Sequence, residues 1–268
     1  MASLGIIAGG GSFPKILAQA CRASGRGYFV LGLEGHADPA VVEPEPHGWI
    51  RIGEWSRGVG LLHEAGVEDL IMAGPVHRPG LAEIRPDLGG AKVLARLAKS
   101  WLGDDTLLSA VARELEREGF RIVSPGELLD GHLATSGAYG AHRPDEVARK
   151  DIARALDVVR AVGALDVGQA AVVQQSVVLG VEAVEGTDAL IKRCAALQRP
   201  GAGAVLVKAP KPGQDRRFDL PAIGAETAAA AVEAKFAGIA VVAGGAFVFD
   251  RDDLVRIADG GGLFVVGV

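Results

Sequence analysis

The sequence predicts an α/β protein in two parts: a parallel sheet with helices on both faces, followed by a mixed α/β unit richer in strands. Three observations predict it. Short apolar runs alternate with amphipathic helical stretches through the first half, the pattern of strand–helix units. The glycine-rich polar segment GHLATSGAYGAHRPDE then breaks the periodicity between positions 130 and 149. Beyond it, apolar runs follow one another with fewer helices between them.

In order, residues 4–8 read as a buried strand. Gly9, Gly10 and Gly11 form a turn, and Ser12 and Pro14 open a helix that runs to about Ala23 and closes at Gly25. Tyr28–Leu33 and residues 49–52 read as strands, 58–65 as a helix and 69–72 as a strand ending in Ala73-Gly74-Pro75. In 91–101, Val93, Leu94, Leu97, Ala98 and Trp101 share one helical face. A second amphipathic helix spans 106–118, and strand 120–123 stops at Ser124-Pro125. This alternation is Rossmann-like. After the break come a helix at 147–162 and strands at 170–179, 181–184, 204–207, 239–242, 246–249 and 263–266, with helices near 187–197 and 227–235. The domains are taken as 1–132 and 133–268.

Composition excludes several classes. The chain has 268 residues, enough for a sizeable core, and is 49% hydrophobic with 38 glycines. A net charge of −5 argues against nucleic acid as a partner. Cys21 and Cys194 are the only cysteines and lack metal spacing, so a disulfide framework is excluded and a reducing compartment is expected. MASLGIIAGGGSFP has no basic start and too short an apolar run for a signal peptide. No run approaches the roughly 20 apolar residues of a transmembrane helix, so any membrane contact is expected to be peripheral.

The richest segment is VLVKAPKPGQDRRFDLPAIGAET. A buried strand leads into a proline-held loop where Lys208, Lys211, Arg216 and Arg217 alternate with Asp215, Asp219 and Glu226. Such cations meet phosphate oxygens, and such carboxylates hold a divalent metal or activate water. In an extended chain Asp215, Arg217 and Asp219 would point to one side. A solvated, salt-bridged loop is the plain alternative.

Gly10, Gly11, Ser12 and Phe13 sit where a strand enters a helix, whose free N–H groups suit an anion. The run lacks the third glycine of a dinucleotide fingerprint and the Gly-Lys-Ser/Thr of a Walker loop. A tight turn explains it equally well. Gly74, Pro75, Val76 and Arg78 follow a strand end, and Asp104, Asp105 and Thr106 precede a helix, both common ligand positions. Helix capping is the alternative for the two aspartates. Gln174, Gln175, Glu182, Glu185, Gly186, Thr187 and Asp188 crowd the ends of a strand pair, where exposed turn or capping roles compete with function.

Taken together, IAGGGSFP, AGPVHRP, GDDTLL, LDVGQAAVVQQSVVLGVEAVEGTDALI and VKAPKPGQDRRFDLPAIG resemble the UDP-2,3-diacylglucosamine pyrophosphatases of the LpxI type, in order and nearly end to end. The resemblance implies a C-terminal α/β domain of unusual topology that carries catalysis. It also implies Mg²⁺-dependent hydrolysis to UMP and 2,3-diacylglucosamine 1-phosphate (lipid X), with water attacking the lipid-side phosphorus. It implies a homodimer at the cytoplasmic face of the inner membrane.

Lys208, Asp215, Arg217, Asp219 and Glu226 are the catalytic candidates, with Asp215 and Asp219 as metal ligands. Gly10, Gly11, Ser12, Phe13, Gly74, Pro75, Val76, Arg78, Asp104, Asp105, Thr106, Gln175, Glu185, Gly186 and Thr187 are the substrate-binding candidates. The family's essential carboxylate corresponds to Asp219, Ala225 or Glu226. If it corresponds to Ala225, the chain binds substrate without turning it over. A nucleotide-sugar transferase and a non-catalytic UDP-sugar or acyl-lipid binder are the alternatives.

Overall fold

The computed structural model describes residues 3–76, 84, 86–100, 107–212 and 220–268. The chain divides into two compact units, with the break at Asp130 and Gly131.

In the first unit, β1 (Ser3–Ala8), α1 (Phe13–Ser24), β2 (Tyr28–Leu33), α2 (Pro39–Val42), β3 (His47–Ile50), α3 (Trp55–Glu64), β4 (Val67–Ala73), α4 (Leu88–Ser100), α5 (Leu107–Arg117), β5 (Arg121–Ile122) and α6 (Pro125–Leu128) follow one another. The strands form one parallel sheet in the order β3-β2-β1-β4-β5. Its core joins Leu31 and Leu70 to Leu62 of α3 and to Ala112 and Leu115 of α5. The periodicity of α1 buries Leu17, Ala18 and Cys21, and Gly25 ends that helix in the left-handed region at φ 68°.

At the amino-end edge of this sheet, Asp69 is 2% exposed and takes both Arg26 and Arg121. The Arg121 hydrogen bonds hold its carboxyl below the ordinary aspartate value, against the opposing effect of burial.

The second unit contains β6 (Gly137–Ala138), α7 (Glu146–Ala164), β7 (Ala170–Gln174), β8 (Val177–Val181), α8 (Gly186–Ala195), β9 (Val205–Lys208), β10 (Ala222–Ile223), α9 (Ala225–Glu233), β11 (Gly238–Val241), β12 (Phe247–Val248), α10 (Arg251–Gly260) and β13 (Phe264–Gly267). Its main sheet has the order β6-β13-β11-β9-β7-β8. β9, β11 and β13 run parallel; β6 and β7 join them antiparallel, and β8 folds back on β7. β10 and β12 form a separate parallel pair.

The central strands are apolar on both faces because both faces are covered. Ala170, Val172 and Leu206 pack with Leu190, Ala231 and Leu254 of α8, α9 and α10. Ala171, Val173, Val205 and Val207 pack with Ile152, Ala155 and Val159 of α7.

The structure differs from several sequence expectations. The run 170–179 is a hairpin, not one strand, and 182–184 is loop. The turn has Gln175 at φ 51° and Ser176 at φ 62°, and their N–H groups bond the buried Asp151 of α7 at 2.9 and 2.6 Å. Asp151 thus holds left-handed backbone that glycine or asparagine usually supplies. The second unit also holds α10, which the sequence reading missed, so it is less strand-dominated than expected. Ser124-Pro125 does more than stop a strand: Ser124 and Glu127 form the capping box of α6. The third strand starts at His47, two residues before the expected 49.

Candidate active site

Ligands of open parallel sheets bind beyond the carboxyl ends of the strands, where the strand order reverses. In the first unit that point lies between β1 and β4, and it brings together two loops separated in sequence. The Gly9 N–H donates to the Ala73 carbonyl at 2.7 Å, and the Gly10 N–H to the Pro75 carbonyl at 2.9 Å. A Cβ at Gly74 would lie 2.1 Å from the Gly10 carbonyl oxygen, and φ there is +87°, so only glycine fits. Gly9, Gly10 and Gly11 therefore adjoin Gly74, Pro75 and Val76, and Ser12 and Phe13 follow them into α1. Ser12 occupies the N-cap of α1 but makes no side-chain capping bond, and it is exposed.

In the second unit the corresponding edge is the carboxyl end of β9, β11 and β13. Lys208 ends β9, opposite Ala170 and Val241. It is 6% exposed, and its Nζ donates to the Ala222 carbonyl at 3.0 Å. That contact ties the cation to the segment entering α9. There Gly224 is the N-cap, Ala225 the first helical residue and Glu226 an exposed acid of the first turn. Lys208 and Glu226 are thus brought to one end of the unit.

The β8–α8 loop reaches the same sheet end. Glu182 is buried, contrary to the exposed role considered for it. It accepts the Thr187 hydroxyl at 2.6 Å and the Gln169 N–H at 3.1 Å. Glu185 accepts Arg193 at 2.7 Å, which holds its carboxyl below the usual range. Gly186 opens α8 at φ 79°. Gln175 lies at the opposite end of the sheet, beyond the β7 residues that pair with the start of β9. Its amide donates to the Pro200 carbonyl at 3.0 Å. The structure therefore does not bring Gln175 to Lys208. Arg78, Asp104, Asp105, Thr106, Asp215, Arg217 and Asp219 lie outside the described residues.

Gln169 was missed from sequence. It precedes β7, beside Lys208, and both its backbone groups are engaged, with Glu182 and with Ala209 N–H. Its side-chain amide oxygen is buried with no hydrogen-bond partner among the described residues. Such an atom costs free energy unless something donates to it. A polar residue at the mouth of the apolar run 170–173 was the available signal.

The LpxI N-terminal domain model matches residues 3–132, and the LpxI C-terminal domain model matches residues 135–266. The chain belongs to the LpxI family. A relative from Caulobacter vibrioides, the UDP-2,3-diacylglucosamine pyrophosphatase LpxI, is 42% identical over 275 residues, spanning 100% of this chain and 98% of the relative. The glycine loops of the first unit and the Lys208 edge of the second each fall within one of the two LpxI domain matches.

Proposed function

We propose that this protein hydrolyses the pyrophosphate of UDP-2,3-diacylglucosamine to UMP and 2,3-diacylglucosamine 1-phosphate, a step of lipid A biosynthesis. The full-length match to the Caulobacter vibrioides pyrophosphatase carries this reading.

The chemistry asks for charge neutralisation and a placed water. Water oxygen attacks the lipid-side phosphorus, the bond from that phosphorus to the bridging oxygen breaks, and UMP leaves with the bridging oxygen. Lys208, a cation at the carboxyl end of parallel strands, meets pyrophosphate charge together with Arg217. Asp219 orients the water, and Glu226 is a further acid beside the Lys208 segment. The loops around Gly10 and Gly74, with Arg78 and 104–106, bind substrate, as do Gly186 and Thr187.

Mg²⁺ is the proposed cofactor, with Asp215 and Asp219 as its ligands. Among the described residues no group of three His, Cys, Asp or Glu side chains could hold a metal, and Glu182 is already engaged by Thr187 and Gln169. The described residues thus do not build a metal centre by themselves. Among the described residues no helix is long and apolar enough to cross a membrane. The proposal is a homodimer held peripherally at the cytoplasmic face of the inner membrane.

The test is turnover in ¹⁸O-water with Mg²⁺. Label in the phosphate of the lipid product and unlabelled UMP support the reading. Label in UMP moves the attack to the other phosphorus. Intact substrate retained without UMP release overturns the enzyme reading in favour of a binding protein.

A further inference from the structure

Two neighbouring loops of the second unit carry bare aliphatic side chains. The loop between α7 and β7 holds Leu165, 76% exposed, and Val167, 44% exposed; the loop between β8 and α8 holds Val184, 104% exposed. The loops lie against one another. A Cβ at Gly168 would fall 2.0 Å from the Glu182 carbonyl oxygen, and the Gln169 N–H bonds the Glu182 carboxylate at 3.1 Å. Both loops emerge at the sheet end that bears Lys208, because Ala170 pairs with Lys208 and Ala171 with Val181. Of the acids next to these aliphatics, Asp166 pairs with Lys211 at 2.6 Å and Glu185 with Arg193 at 2.7 Å, while Asp188 in the first turn of α8 is exposed.

We infer that Leu165, Val167 and Val184 form a rim that enters the surface of a lipid bilayer beside the Lys208 edge. The inference rests on the reading of the substrate as a diacylated glucosamine. Two acyl chains hold such a molecule in a bilayer, since every buried methylene adds to its retention. Its pyrophosphate is then presented at headgroup level. An edge that acts on it must approach the lipid surface, and exposed aliphatic loop tips supply the apolar area that this requires. Pairing of Asp166 and Glu185 removes charge that an anionic leaflet would repel. Solvent-exposed Val184 and Leu165 contribute little packing within the unit, so their replacement leaves the fold intact.

The experiment uses the whole chain and vesicles of phosphatidylethanolamine and phosphatidylglycerol. The combined Leu165→Ser, Val167→Ser and Val184→Ser variant is expected to lose about 10²-fold in vesicle partitioning, the combined effect of exposing three partly inserted aliphatics. UMP release from substrate in detergent micelles, where no bilayer need be reached, stays at the wild-type level. Val177→Ser with Leu197→Ser, at the opposite end of the sheet, leaves partitioning unchanged. A Val184→Trp protein is quenched by brominated lipid more strongly than Val177→Trp.

Equal partitioning of wild type and the triple variant overturns the inference. So does a triple variant that turns from dimer to monomer in light scattering with unchanged partitioning, which assigns the rim to a second copy. Absence of UMP release by wild type in micelles refutes the hydrolase reading, while the partitioning comparison still decides the rim.

Discussion

Replacing Lys208 by methionine separates the electrostatic role of this side chain from its packing. Methionine is close to lysine in length and shape, so the volume around the buried end of β9 is nearly kept. Among the described residues the structural loss includes the Nζ hydrogen bond to the Ala222 carbonyl at 3.0 Å, about 1 kcal/mol. It is offset because a 6% exposed ammonium no longer has to be desolvated. The melting temperature should therefore move by less than about 4 °C. The functional loss is larger. A unit charge about 4 Å from a phosphate oxygen contributes about 4 kcal/mol at an effective dielectric of roughly 20. That corresponds to a fall in kcat/KM of about 10²–10³, the range seen when a key electrostatic group is removed. The assay is UMP release across substrate concentrations, with thermal melting measured on the same samples. A loss carried by kcat shows that the cation acts mainly in the transition state. Near-normal kcat/KM in a folded Lys208→Met protein would refute the placement of Lys208 at the reacting phosphates. Unfolding without the lysine would show instead that it is a structural charge.

Gln169→Leu should raise KM while leaving the melting temperature equal or higher, because it removes a buried acceptor without a described partner; a lower melting temperature with unchanged KM would make the amide structural. Asp219→Ala should reduce kcat by about 10²-fold or more while substrate still binds, and near-normal turnover at saturating Mg²⁺ would shift the chemistry to another acid. Asp69→Ala should destabilise the first unit by about 3 kcal/mol or more, because Arg26, with its side chain 11% exposed, loses its carboxylate. Since the folded Asp69 carboxyl lies below its unfolded value, its contribution is complete above the unfolded value and is lost as pH falls through the folded one. The melting gap between wild type and Asp69→Ala should therefore stay constant near neutrality and narrow only below about pH 4. A gap that narrows already at pH 6 would assign the effect to another group.

Three central strands of the second unit were legible because a strand covered on both faces must be largely apolar, and VLVK, GIAV and FVVG say so within four residues each. The glycine turn before α1 and the Gly25 stop were legible for the same local reason: a left-handed or crowded backbone selects glycine. The hairpin at Gln175-Ser176 was not legible. No glycine or asparagine marks it, and the turn is held by Asp151, 24 residues away in sequence. The difference between Gln175 and Lys208 was hidden for the same reason. Both are polar residues at strand ends, and only the antiparallel pairing of β7 with β9 sends them to opposite ends of one sheet.

Likewise the sequence alone determined that glycines follow β1 and β4, but not that Gly10 would pack against Gly74. Nor did it show that Glu182 would be buried between Thr187 and Gln169. Local propensity and apolar period are properties of a few consecutive residues, so one sequence exposes them. Pairing register and the partner of a buried polar atom depend on segments brought together only when the core closes, and only the tertiary structure decides them.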